Sequence, residues 1–218
     1  SARRTRVPAP VSMPPATVPR RRAAPSRKRA IVIGASTGGP RALCELLPEL
    51  CKLVKLPILI VQHMPAGFTK SLAESLARQT GRSAVEASDG MTLSSADIFV
   101  APGGRHLVLR GPAASVSLAL NEQPPENGCR PSADVLFRSA AAVLGGEVIA
   151  VILTGMGRDG TAGLGAIRRA GGHVIAQDQA TSVVWGMPGS AVEAGVTDEV
   201  HPLDRIAHAI ANLVAGTP

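Results

Sequence analysis

With 218 residues, the chain is long enough for one substantial domain and an appendage. Aromatic residues are scarce and tyrosine is absent, which argues against a base-stacking surface for single-stranded nucleic acid. The formal charge of +7 sits at one end: residues 1–29 hold nine Lys or Arg and no acidic group, whereas the rest carries fourteen basic against sixteen acidic residues.

The basic segment also contains Pro8, Pro10, Pro14, Pro15, Pro19 and Pro25 and little apolar material. Such a segment cannot bury a core, so residues 1–29 are expected to be a disordered linker. An electrostatic arm for an acidic partner or lipid is the other reading. No apolar run reaches the length of a membrane span, and no signal-peptide core follows the basic start. Cys44, Cys51 and Cys129 form no C-x-x-C pair. That usage fits a reducing cytoplasm and argues against a disulfide framework or a thiolate metal site.

In chain order, residues 30–34 read as a short buried strand. Leu43, Leu46, Leu47 and Leu50 then recur at helical spacing. "PILIVQ" (57–62) is a second buried strand, ended by His63-Met64-Pro65, and Lys70–Gln79 carries Leu72 and Leu76 on one helical face. The stretch 97–109 shows two β-rich runs around Pro102-Gly103-Gly104, which predicts a hairpin there. "SVSLAL" (115–120) adds a strand, and Asp134–Leu144 a helix. "EVIAVILTG" (147–155) is the strongest strand pattern, followed by "MGRDG" and a helix to Ala170. "HVIA" (173–176) is a further strand. A short helix over 190–194 and an amphipathic one over 203–214 complete the chain.

Apolar strands alternating with amphipathic helices predict an α/β fold, doubly wound, with a mainly parallel sheet covered on both faces and a small antiparallel hairpin insertion. Chemistry in such folds sits beyond the carboxyl ends of the strands. Three loops fall there: Gly34–Gly39, Gln62–Gly67 and Thr154–Gly160.

The first, "GASTG", fits G-x-S-x-G. Small neighbours permit a tight strand-to-helix turn with the Ser36 oxygen at its apex, and the following helix start offers unpaired N–H groups. Those features equally suit a bound phosphate or a purely structural turn. The pattern has neither the Walker lysine nor G-x-G-x-x-G spacing. The second loop supplies His63. A serine hydroxyl needs a base, and His63 is the one histidine of five placed at the carboxyl end of a predicted parallel strand. His106 falls in the hairpin, His173 at the sheet's opposite end, and His201 and His208 by the last helix. The third loop supplies Asp159, which could orient an imidazole or cap the helix that follows it. The order Ser36, His63, Asp159 differs from that of α/β-hydrolases.

The stretches "IGASTGGP" (33–40), "QHMPAGFTKSLAESL" (62–76), "APGGRHLVL" (101–109), "RPSADVLFRS" (130–139), "VILTGMGRDGTAGL" (151–164) and "AQDQATSVVWGMP" (176–188), in this order, resemble the catalytic domain of the bacterial chemotaxis protein-glutamate methylesterases, the CheB type. The likeness covers residue 30 to about 214. It implies a serine hydrolase that demethylates γ-glutamyl methyl esters on the cytoplasmic helices of chemoreceptors and, in many members, deamidates receptor glutamines. It places the family's triad on Ser36, His63 and Asp159, with Thr37 and Met156 beside the site. Backbone N–H groups of His63 and Met156 are expected to serve the oxyanion.

The likeness implies no organic cofactor and no metal, a cytoplasmic location, and neither nucleic-acid binding nor membrane insertion. Family members usually carry an upstream receiver domain, and nothing before residue 30 has the pattern of one. A monomer is the default expectation. Trp185 stands where the family would lead one to expect Phe. Two other functions remain open: the same esterase chemistry on a non-chemotaxis signalling protein, and a nucleotide-binding module using Gly34–Gly39.

Overall fold

A computed structural model describes residues 28–93 and 98–216. The basic segment over 1–29 lies outside the described residues as far as residue 27. Lys28 and Arg29 are described. Arg29 pairs with Glu147 at 3.3 Å, and its backbone N–H donates to the Glu147 carbonyl.

Continuous β-branched runs form the centre. β1 (Ala30–Ala35), β2 (Ile58–Gln62) and β7 (Val148–Ile152) are buried along their whole length. They join β3 (Ala84–Glu86), β4 (Ile98–Val100), β8 (His173–Gln177) and β9 (Glu199–His201) in a seven-stranded sheet. The order is β3-β4-β2-β1-β7-β8-β9, and every pairing is parallel. A fully parallel sheet must be covered on both sides, which explains runs without polar alternation.

The period-two geometry of a strand sends alternate residues to opposite faces. Ala30 and Val32 of β1 join one core cluster, and Ile31, Ile33 and Ala35 the other. The first cluster is closed by α3 (Ala133–Leu144), α4 (Thr161–Arg169) and α5 (Gly186–Glu193). The second is closed by α1 (Gly39–Leu53), α2 (Phe68–Thr80) and α6 (Leu203–Ala215). The doubly wound expectation therefore holds.

The hairpin lies elsewhere than the turn at Pro102-Gly103-Gly104 suggests. The run before that turn is β4, a parallel partner of β2. The run after it is β5 (His106–Arg110), which pairs antiparallel with β6 (Ser117–Asn121). Local turn chemistry marks a change of direction but does not choose the pairing partner. The hairpin packs Leu107, Leu109 and Leu118 into the α3 side of the core.

β1 is the switch point. The chain leaves β1 toward β2 on one side, and β7 flanks β1 on the other. The loops after β2, β1 and β7 thus emerge side by side at one end of the sheet, where open α/β sheets hold their chemistry.

Candidate active site

Ser36 follows β1 directly. Its N–H donates to the Thr154 carbonyl at 3.0 Å, which ties the turn to the end of β7. Its carbonyl accepts from Gly39 N–H at 2.8 Å and from Gln62 Nε2 at 2.9 Å. Gly38 completes the turn with φ 81, a left-handed conformation that an L side chain adopts only under strain. A Cβ there would also lie 2.8 Å from the Val183 side chain. With the backbone so held, the Ser36 hydroxyl makes no hydrogen bond to the described residues and the side chain is half-buried.

His63 follows β2. Its N–H donates to the Ala35 carbonyl at 3.0 Å and continues the β1–β2 ladder, whose last register pair is Ala35 with Gln62. Ser36 and His63 are therefore the next residues of two neighbouring strands. That same bond spends the His63 N–H, so the expected oxyanion role of this group is corrected. The N–H groups of Thr37 and Met156 make no bond to the described residues. Met156 is also 69 % exposed.

Asp159, in the loop after β7, lies 2.7 Å from His63 Nε2. Its carboxylate is almost fully buried. It also accepts from Ser132 Oγ at 2.7 Å, Ala133 N–H at 2.7 Å, Asp134 N–H at 3.2 Å and Asn127 Nδ2 at 3.3 Å. Burial pushes this carboxyl up, but the His63, Ser132 and Ala133 donors together outweigh it and hold it below its ordinary value.

The expected cap role takes an unexpected form. Gly160, not Asp159, is the N-cap of α4. Asp159 instead takes the free N–H groups that open α3, and Ser132, the N-cap of α3, spends its hydroxyl on Asp159. Asp134 of α3 returns the contact by accepting from Gly163 N–H of α4 at 2.6 Å. Asp134 is buried, and desolvation together with the nearby Asp159 charge raises its pKa above the usual value.

An ionised carboxylate only accepts, so His63 Nε2 carries the proton of the His63–Asp159 bond. This leaves Nδ1 as the imidazole's lone-pair nitrogen. Cys129 Sγ lies 3.6 Å from it. Burial, and then the charge of Asp159, raises the Cys129 thiol's pKa.

Several residues of this site gave no functional signal in the sequence. Gln62 is buried and braces both Ser36 and His63 through their carbonyls, yet it reads as the last residue of an apolar strand. Ser132, Asn127 and Asp134 fall within or beside "RPSADVLFRS", which carries the family likeness but no chemistry of its own. Thr154 Oγ1 donates to the Thr37 carbonyl at 2.9 Å and accepts from Val184 N–H at 3.0 Å, which pins the Ser36 turn to the 183–187 segment. Trp185 Nε1 donates to the Gln177 carbonyl at 3.2 Å. Of the other histidines, His106 touches the site only through the Ser132 backbone, and the rest bond to no site residue. His106 is buried between Ser132 N–H and the Pro124 carbonyl, while His173 and His201 both pair with Glu199. His208 is exposed.

Gly155 sets the spacing of the loops. A Cβ there would fall 2.7 Å from Ser36 Cβ and 2.4 Å from Met187 Sδ. Gly155→Ala is expected to cost about 1–3 kcal/mol of stability through overpacking. A serine nucleophile at position 36, displaced by an ångström, would lose on the order of 10²-fold in kcat. Urea unfolding and steady-state rates measured on the same preparation check both.

Comparison with known proteins places this site in a family. The sequence model described as CheB methylesterase matches residues 31–210. A Trichodesmium erythraeum protein named protein-glutamate methylesterase/protein-glutamine glutaminase is 47% identical over 180 residues, covering 83% of this chain and 51% of the relative. A Paramagnetospirillum magneticum protein of the same name, numbered 1, is 47% identical over 211 residues, covering 96% of this chain and 55% of the relative. The chain thus spans about half the length of the curated relatives it matches. The crystal structure of the Thermotoga maritima CheB methylesterase catalytic domain superposes with a TM-score of 0.83 at 42% identity, covering 87% of this chain and all of that one. With the family's sequence model matching from β1 into α6 and a solved catalytic domain of that family sharing the fold, the chain belongs to the CheB methylesterase family.

Proposed function

We propose that this chain hydrolyses γ-glutamyl methyl esters on the cytoplasmic helices of chemoreceptors through Ser36, His63 and Asp159. The observation that carries the reading is the 2.7 Å His63–Asp159 bond beside Ser36, built from loops after three adjacent strands. The names of the relatives support a protein-glutamate methyl ester as the substrate class.

In this mechanism the Ser36 oxygen attacks the ester carbonyl as His63 Nδ1 takes its proton. Asp159 holds Nε2–H and stabilises the imidazolium. Thr37 and Met156 N–H groups, without other partners among the described residues, donate to the oxyanion. His63 returns the proton to the departing methanol, leaving a glutamyl ester on Ser36. Water, deprotonated by the same nitrogen, releases the glutamate carboxylate and restores Ser36. A receptor glutamine would follow the same path with ammonia leaving.

A cleft lined by Gly38, Arg41, Glu45, Val183, Leu203 and Arg205 adjoins the Ser36 turn, but neither Ser36, His63 nor Asp159 lines it. We assign the catalytic unit to residues 30–218 and a tethering role to 1–29, which would join it to a receiver domain in a longer protein. No helix among the described residues is long and apolar enough to cross a membrane. Action on the cytoplasmic part of receptors sets the enzyme in the cytoplasm.

The test is methanol release from membranes carrying methylated receptors. Release that depends on added enzyme and on prior methylation is the expected result. Absence of release, with the chain folded, would overturn the substrate assignment.

A further inference from the structure

We infer that His63 Nδ1 and Cys129 Sγ together form an inhibitory binding site for Zn2+, on the nitrogen that would otherwise take the Ser36 proton. His63, Cys129 and Asp159 present ligand atoms that all lie within 4.8 Å of one another. Within this group the geometry separates ligands from support. Asp159 occupies Nε2–H, so the ring presents its lone pair at Nδ1. A carboxylate on the far nitrogen of a ligating histidine is the usual outer partner in zinc sites, where it fixes the ring and raises its basicity.

The Sγ to Nδ1 separation is 3.6 Å. Zn–S bonds of ~2.3 Å and Zn–N bonds of ~2.0–2.1 Å at a tetrahedral angle require about 3.6 Å between the two donor atoms. The atoms therefore stand at the required spacing with no movement of the backbone. Cys129 is part-exposed, so a cation reaches it from solvent. Its other polar contact is a weak one, 3.6 Å to the Asn127 carbonyl. On binding, the thiol proton passes to solvent, one Zn–S and one Zn–N bond form, and water fills the remaining positions. The nearby Asp159 charge offsets the cation. Soft thiolate with imidazole suits Zn2+ over Mg2+ or Ca2+.

The cysteine spacing in the sequence could not show this site, because its two ligands come from the loop after β2 and the segment before α3.

The inhibitory consequence rests on the proposed function, whereas the binding does not. The first measurement is therefore spectroscopic. Titration of the full chain with Co2+ is expected to give a thiolate-to-cobalt charge-transfer band in wild type and in Ser36→Ala, erased by Zn2+. The band should vanish in Cys129→Ala. No band in wild type, or a band that survives in Cys129→Ala and so belongs to Cys44 or Cys51, overturns the site.

The second measurement is Zn2+ inhibition of methanol release, relative to each variant's own metal-free rate. Cys129→Ala should raise the half-inhibiting concentration by at least about 10-fold, since loss of even an outer partner costs that much affinity. An unchanged value overturns the inhibitory role. If wild type releases no methanol at all, the esterase reading fails while the cobalt band still decides the cation site.

Discussion

Ser36→Ala is expected to lower methanol release by on the order of 10³–10⁶ in kcat while leaving the fold intact, by analogy with other serine triads. The two halves of this expectation have separate causes. The backbone of Ser36 does the structural work: its N–H binds Thr154, and its carbonyl binds Gly39 and Gln62. The hydroxyl binds nothing among the described residues. Removing it breaks no hydrogen bond and vacates little volume, so the stability change should stay within about 0.5 kcal/mol. Removing it also deletes the atom that would form the acyl intermediate. The residual rate would come from oxyanion stabilisation and substrate positioning alone. Matched unfolding curves with a collapsed rate would identify Ser36 as the nucleophile. A rate within a factor of a few of wild type would sink the mechanism, and would return the Gly34–Gly39 turn to the anion-site or structural readings.

Much of the architecture could be read from local pattern, because the long buried strands and their helices declare themselves. β1, β2, β7 and β8 are continuous apolar runs, and α1 and α6 repeat leucine or isoleucine at helical spacing. β3 and β9 did not show themselves. Each has three residues, with only Ala84 buried in β3 and none in β9, too few to display a period. The hairpin was displaced for a different reason. Pro102-Gly103-Gly104 does turn the chain, but β4 finds its partner forty residues upstream in β2.

The site divides in the same way. Ser36, His63 and Asp159 could be found because the first two directly follow recognisable strands and the third lies in the loop after another. Ser132, Asn127 and Gln62 could not, because what makes them matter is a contact across elements. Cys129 belongs with this second group: alone in sequence, it acquires meaning only beside His63 Nδ1.

Asp159→Asn is expected to lose on the order of 10⁴ in kcat, the scale of the equivalent change in another serine triad. It should also destabilise the protein, a combination Ser36→Ala should not show. The reason is the number of donors that converge on one carboxylate. His63 Nε2 and Ala133 N–H meet Oδ2, while Ser132 Oγ, Asp134 N–H and Asn127 Nδ2 meet Oδ1. A carboxamide keeps one acceptor and turns the other into a donor. Either orientation sets an NH2 group against donors, and each buried donor left unmet costs about 1–3 kcal/mol. If the NH2 faces His63, the ring loses its Nε2–H acceptor, and nothing then fixes the tautomer that leaves the lone pair on Nδ1. If it faces Ser132, the opening of α3 loosens and carries Asp134 and its bond to Gly163 with it.

The pH dependence separates this account from simple loss of packing. The folded pKa of Asp159 lies below its unfolded value, so its contribution is complete above about pH 4 and is lost as pH falls through the folded value. Asp134 works in the opposite sense. Its folded pKa is raised, so its ionisation costs stability as pH rises through the window above about pH 4. Urea midpoints between neutral pH and pH 3 should therefore fall more steeply in wild type than in Asp159→Asn, which has no charge to lose at that position. Asp134→Asn should steepen the fall instead, because it removes the opposing term. Parallel acid limbs in wild type and Asp159→Asn would mean that the carboxylate contributes shape alone at the head of α3, and the charge-based account of the His63–Asp159 pair would have to be abandoned.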